Sequence, residues 1–166
     1  MNIRPIIDKD IDTILALNEQ FVRVLSPLDK RRLLKLIDMA ALAVVIEKGS
    51  DIAGFLLVFN AKTDYDSVNY QWFDGHFESF LYIDRVVISD QFQGQGIASM
   101  LYQFVVNFAA ENEVDNIVAE IDILPPNQGS LSFHQKWGFK QIELLKHNEH
   151  KVVSLQVHKV NKSVDA

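Results

Sequence analysis

Three side chains in this chain are placed where they could move protons. Asp84 interrupts a run that is otherwise apolar, with Phe80-Leu81-Tyr82-Ile83 before it and Val86-Val87-Ile88 after it. A carboxylate there is either a site group or half of an ion pair with adjacent chain. Glu120 lies in Asn116–Ile123, which alternates apolar and acidic residues, and period-two geometry puts Asp122 on its face. Either Asp84 or Glu120 could act as a general base, taking a proton in a transition state. His134 has a side chain whose reference pKa is about 6.5, so it is mostly neutral at neutral pH and can still donate one N–H. The same histidine could instead be a partly buried helix residue bonded to backbone.

The second chemical feature is a glycine turn, Gln91-Phe92-Gln93-Gly94-Gln95-Gly96-Ile97-Ala98, between a strand pattern and a helix pattern. Glycines let backbone turn tightly and approach a ligand. The first amides of a helix lack internal partners and point outward with the positive end of the dipole, which makes an anion site. A turn with a helix cap and no ligand would need the same glycines. The turn lacks the Lys-Ser/Thr ending of a P-loop. It also lacks the third glycine, at Ser99, and the chain position of a dinucleotide fingerprint.

The elements that must position these groups follow from periodicity and punctuation. Asn2–Ile7 reads as a strand. Asp8 then caps a helix with Ile11, Ile14, Leu15, Leu17, Phe21 and Val22 on its apolar side. Ser26-Pro27-Leu28-Asp29 reads as a second helix start, with a serine cap and proline at the first helical position. Leu42–Lys48 and Ile52–Asn60 read as a hairpin. Ala61–Ser79 is a long connection in which Tyr65, Tyr70, Trp72, Phe73, His76 and Phe77 either anchor the loop to the core or line a pocket. The strand Phe80–Ser89, a helix over about Gln95–Asn112 and the strand Asn116–Ile123 come next. Pro125-Pro126 breaks that strand, Asn127 starts a helix that Gly138 ends, and two strands follow near Phe139–Leu145 and Lys151–His158. The order predicts a mixed α/β sheet with helices on its faces.

Bulk composition narrows the function. At 166 residues with 48% apolar and 23% charged residues, the chain is expected to form one globular domain over 1–166. No apolar run approaches the roughly 20 residues of a membrane span, and MNIRPIIDKD becomes charged too soon for a secretory signal. Zero cysteines exclude disulfides, thiolate metal sites and a cysteine nucleophile. No metal and no membrane partner are expected, and cytoplasmic residence is the default. The net charge of −6 argues against general nucleic-acid binding and is compatible with a cationic substrate.

Gln91, Gly94 and Gly96, after an apolar strand, resemble motif A of the GNAT superfamily of N-acetyltransferases, Gln/Arg-x-x-Gly-x-Gly/Ala. About 30 residues on, Asn127, Ser130, His134, Lys136, Gly138 and Phe139 are similar to its motif B. An unrelated nucleotide-binding protein would need both motifs by chance. The resemblance implies a GNAT-like α+β fold, with a mostly antiparallel central sheet splayed between two neighbouring strands and about four helices on its faces. It implies acetyl-CoA as co-substrate and direct attack by an amine (small amine, amino acid or peptide) on the thioester. Catalytic candidates are then Asp84, Glu120 and His134, the last standing where relatives usually carry tyrosine. Main-chain groups of Val86, Val87 and Ile88 would bind the pantetheine arm. The amides of Gln93, Gly94, Gln95, Gly96, Ile97 and Ala98 would hold the pyrophosphate. Gln91, Asn127, Ser130 and Phe133 would be further cofactor contacts, and Lys136 is either a solvated charge or a contact to the cofactor's outer phosphates. Gln93 replaces an arginine of many relatives, so a shallow salt dependence of cofactor affinity is expected. The acceptor would enter between Phe21–Leu28 and Asp64–His76, with Phe21, Ser26, Tyr65, Asp66 and Trp72 as contacts and Asp64, Asp66 and Asp74 open to a cation. Trp137 and Phe139 are expected in the core, and a homodimer through the closing strands is compatible with the pattern. A CoA-binding sensor without catalysis would carry the same motifs.

Overall fold

The computed structural model describes residues 1–22 and 25–160, and a seven-stranded sheet organises them. Its strands are β1 (Asn2–Pro5), β2 (Leu42–Lys48), β3 (Asp51–Asn60), β4 (Leu81–Ile88), β5 (Asn116–Leu124), β6 (Lys140–Asn148) and β7 (Lys151–Lys159), in the spatial order β1-β2-β3-β4-β5-β7-β6. Every neighbouring pair is antiparallel except β4 and β5. That one parallel pair needs a crossover, which α4 (Ile97–Glu111) supplies. Among the described residues no helix is long and apolar enough to cross a membrane.

Period-two alternation sends apolar side chains to both faces and makes two cores. On one face α1 (Ile11–Glu19), α2 (Lys30–Met39) and α3 (Val68–Asp74) cover Phe55, Leu57, Phe59, Tyr82 and Leu155. On the other, α4 and α5 (Gln128–Lys136) flank a core of Val44, Leu56, Leu81, Ile83, Ile117 and Ile121. Phe139 belongs to this second core and Trp137 packs against it, as the sequence suggested.

Local signals set several boundaries and missed others. Asn127 caps α5, its side chain accepting the Ser130 amide, and Gly138 takes φ +89° just past the helix. The second helix is capped by Asp29 rather than Ser26, the Asp29 carboxylate accepting the Arg32 amide at 2.7 Å. Ser26 is drawn inward, its carbonyl accepting from Asn18 and Arg85. At the first helix a 3-10 turn over Asp8–Asp10 precedes α1. There Asp10, not Asp8, accepts the Ile7 amide while also pairing with Arg4. The long connection after β3 carries α3, so the described residues hold five α-helices where about four were expected. Its aromatic residues serve as anchors: Tyr65, Tyr70 and Phe73 are buried against Phe80 and Tyr82 with ring centroids 5.4–6.4 Å apart.

Candidate active site

β4 and β5 pair only at Leu81↔Ile117 and Tyr82↔Val118, at the starts of both strands. Beyond Tyr82 they part, so the β5-facing edge of β4 has no strand partner there. A cavity of about 690 Å³ fills the opening and runs past Val86–Ile88 and Ala119–Asp122. Strand β3 holds β4 on the other side through Gly54, which is opposite Ile88. A Cβ at Gly54 would meet the Val87 carbonyl at 2.4 Å, so only glycine admits this approach.

At one end of the opening β4 leads through a 3-10 turn at Asp90–Phe92 to α4. Gly94 and Gly96 adopt φ +77° and +75°, the left-handed region that side chains resist, and Gly96 is the N-cap of α4. Nothing lies within 4 Å of where a Cβ would sit on either one, so bare backbone faces outward. The Gln93 side-chain amide donates to the Ile88 carbonyl at 2.9 Å and ties the turn to the end of β4.

Carboxylates gather at the middle of the opening. The β3–β4 register slips between Leu57↔Arg85 and Val58↔Ile83, which leaves Asp84 as the extra residue of a β-bulge. Bulged residues no longer alternate faces, and Asp84 and Arg85 both reach towards α1 and the loop before α3. Asp84 accepts from Arg85 Nε at 2.6 Å and from the Tyr65 hydroxyl at 2.5 Å. Arg85 also donates to Asn18 Oδ1 and to the Ser26 carbonyl. Burial opposes the Arg85 charge, yet the adjacent Asp84 carboxylate holds its pKa above the ordinary value.

Glu120 has a different setting. The Tyr82 hydroxyl donates to Oε1 at 2.8 Å, while Oε2 is buried with no hydrogen-bond partner. Burial pushes the Glu120 carboxyl up to about 8, and the Asp84 charge adds to the rise; Tyr82 and the Asn69 side chain act the other way. Asp122, on the same face, is also raised by burial, with Lys151 and His147 opposing.

His134 has both ring nitrogens engaged. Nδ1 lies 2.7 Å from the Ser130 carbonyl, which can only accept, so Nδ1 carries the proton. Nε2 then accepts from the Tyr102 hydroxyl at 2.7 Å. Burial lowers the His134 pKa, so the ring is neutral at pH 7.

The cavity brings together most of the groups singled out in the sequence. Asp84, Glu120, His134, Val86, Val87, Ile88, Gln93, Ala98, Asn127, Ser130 and Phe133 line it, as do Phe21, Ser26, Tyr65 and Asp66. Gln91, Gly94, Gln95, Gly96, Ile97, Lys136 and Trp72 are not in its lining. Gln95 accepts from Lys48, Ile97 is buried in the core, and Trp72 stacks on His76 at 3.8 Å. Of the acids expected to be open to a cation, Asp66 pairs with Arg32 and Asp74 accepts the Lys62 amide, each through Oδ1. Arg23 and Val24, within the expected acceptor segment Phe21–Leu28, lie outside the described residues. Tyr82, Arg85, Tyr102, Asn69 and Lys151 were not singled out. Arginine within an apolar strand, beside an aspartate, was the one local signal that could have drawn attention to Arg85.

A sheet opened between two parallel strands, with a glycine-bounded helix start at one end and carboxylates in the gap, defines an acyltransferase fold. Solved structures share it. Ard1 from Thermoplasma volcanium superimposes with a TM-score of 0.79 at 15% identity, covering 97% of this chain and 98% of that one. An N-acetyltransferase from Staphylococcus aureus Mu50 gives 0.74 at 19% identity, over 96% and 98%. yncA from Salmonella typhimurium, solved with its cofactor acetyl-CoA, gives 0.74 at 14% identity, over 100% and 97%. The sequence profile of the acetyltransferase (GNAT) family matches residues 12–139, and the chain belongs to that family. No curated protein matches it in sequence.

Proposed function

We propose that this protein transfers the acetyl group of acetyl-CoA to an amine, with Glu120 as the general base. The observation that carries the reading is Glu120 Oε2, buried, unpartnered and set in the opening between β4 and β5. We read the cavity's other end, whose lining reaches Gln93 and Ala98 on either side of the glycine turn, as the acetyl-CoA side. The unpaired edge of β4 at Val86–Ile88 offers main-chain groups to an amide-bearing arm, and the bare turn at Gly94–Ala98 offers amides to a pyrophosphate. Asn127, Ser130 and Phe133 form the wall opposite β4.

Bound acetyl-CoA supplies a thioester carbonyl open to attack by a neutral amine. An alkylamine arrives mostly protonated, with a reference pKa of about 10.4. Glu120, raised to about 8, is a stronger base than an ordinary carboxylate, and the arriving ammonium favours its ionised form. Proton transfer from nitrogen to Oε2 frees the lone pair for attack. Tyr82 occupies Oε1, which leaves Oε2 without a hydrogen bond and able to take the proton. Both Asp84 oxygens already accept hydrogen bonds, and we assign Asp84 a positioning role: it anchors Arg85 and Tyr65 in the acceptor wall.

His134 has no free N–H for a leaving sulfur. As the new C–N bond forms and the C–S bond breaks, the sulfur would leave as thiolate, which a thiol pKa of about 8.5 allows. The second proton of the amine nitrogen would pass to that thiolate or to solvent.

An acceptor screen with acetyl-CoA, following thiol release, tests the proposal. We expect amine-dependent release that Glu120→Gln suppresses. Tight CoA binding with no release over a broad amine panel would favour a sensor instead.

A further inference from the structure

We infer that the acceptor is a monoamine whose far end bears a carboxylate, and that Lys151 selects it. This rests on the reading of the cavity as an acetyl-transfer site and names the acceptor class for it. The acceptor half of the cavity is charge-matched, although the chain as a whole carries −6. Asp66 pairs with Arg32 at 2.5 Å, Asp84 with Arg85 at 2.6 Å, and Asp122 with Lys151 at 4.0 Å. Among the described residues of that half, the carboxylate oxygen left buried without a partner is Glu120 Oε2. There is a place for one ammonium. A second cation on the acceptor would have to displace an arginine or lysine from its own carboxylate.

Lys151 differs from the two arginines. Its contact with Asp122 is an ion pair at the limit of reach, and its ammonium makes no hydrogen bond among the described residues. Its side chain is 45% exposed and belongs to the cavity lining, so its ammonium keeps N–H donors for an acceptor that enters there. His147, beside it in the lining, is turned to Asn69, its Nε2–H donating to the Asn69 Oδ1 at 2.8 Å. Glu120 and Asp122 stand two residues apart on one face of β5, a step of roughly 7 Å along a strand. An acceptor reaching from Glu120 Oε2 to the Lys151 ammonium therefore spans roughly 7–10 Å by the same strand spacing. That length suits an ω-amino carboxylate of five or six carbons, or a dipeptide, better than an α-amino acid.

The test compares 6-aminohexanoate, hexylamine and 1,6-diaminohexane as acceptors for wild type, Lys151→Gln and Lys151→Glu. Thiol release is read with acetyl-CoA, and binding of each compound to the CoA complex is read by calorimetry. A partly exposed charge contact of this kind shifts preference by about fivefold. Wild type should therefore favour 6-aminohexanoate over the diamine by about that factor or more in kcat/KM and in Kd. Lys151→Gln should erase the preference and Lys151→Glu invert it. Because Lys151 is half exposed, both variants should melt close to wild type. A wild type that takes the diamine as well or better overturns the inference, as does a preference that neither variant alters. Absence of thiol release with the binding preference intact would remove the acetyl-transfer reading and leave the acceptor class standing. Absence of both would remove both.

Discussion

Replacing Glu120 with glutamine should raise stability at alkaline pH while it removes activity. The folded protein holds the Glu120 carboxyl at about 8 against an ordinary 4.5. A raised pKa means that the folded state binds the proton more tightly than the unfolded state. The associated stability is thus complete below about pH 4.5 and is lost as pH rises through about 8. A shift of this size, at about 1.4 kcal/mol for each unit, corresponds to a loss on the order of 3–5 kcal/mol by pH 9. Glutamine is isosteric and cannot ionise, so the variant should not pay this charge-burial cost. Chemical denaturation at pH 5, 7 and 9 reads the effect: the wild-type curve should fall relative to the variant's, with the gap widest at pH 9. In the same variant kcat/KM should drop by about 10²–10⁴, the usual contribution of a general base. Wild-type kcat/KM should rise with pH towards about 8 and the variant's should lose that limb. Parallel stability curves would refute the burial of an unpartnered carboxylate. Activity within threefold of wild type would refute its role as base.

Three further outcomes are expected. Asp84→Asn leaves the Arg85 charge buried without its carboxylate; with side chains 5% and 4% exposed, the loss should be about 3–5 kcal/mol by urea titration, and a loss under 1 kcal/mol would show the pair to be solvated. His134→Phe strands the Tyr102 hydroxyl and should cost about 1–3 kcal/mol of stability while lowering kcat less than tenfold. A variant as inactive as Glu120→Gln would restore His134 as a proton donor to sulfur. Gly96→Ala forces a side chain into φ +75°, at a cost of about 1–2 kcal/mol that relaxing the turn would relieve. CoA affinity measured by calorimetry should then weaken about tenfold, and an unchanged Kd would show that the turn does not touch the cofactor.

What short-range physics governs was legible without the structure. The glycines at 94 and 96 announce a left-handed turn before a helix because side chains resist that backbone. Asn127 announces a cap because its side chain can reach the Ser130 amide three residues on. Alternation of apolar residues announces strands and their two-faced burial. Turn, cap and strand order together led to the family and to one end of the cavity. α3 was hidden because it is only seven residues long, and its one buried pair, Tyr70 and Phe73, is too short a stripe to stand out in a connection rich in Asp, Asn and Gly.

The catalytic end depended on pairings that no local pattern contains. Asp84 and Glu120 read alike in sequence, as acids in apolar strands. They part because the bulge against β3 turns Asp84 to the same side as Arg85, within reach of Tyr65, while Glu120 takes the Tyr82 hydroxyl on Oε1 and no hydrogen bond on Oε2. His134 read either as a ring with an N–H to give or as a helix residue bonded to backbone; the Ser130 carbonyl takes one nitrogen, and Tyr102, 32 residues earlier in the chain, closes the other. Backbone preferences act over three or four residues, so the sequence by itself determined most of the elements, their order and the glycine turn before α4. Charge burial and hydrogen-bond partners are set by strands and helices that meet only on folding, and so the tertiary structure alone decided which carboxylate is left without a partner.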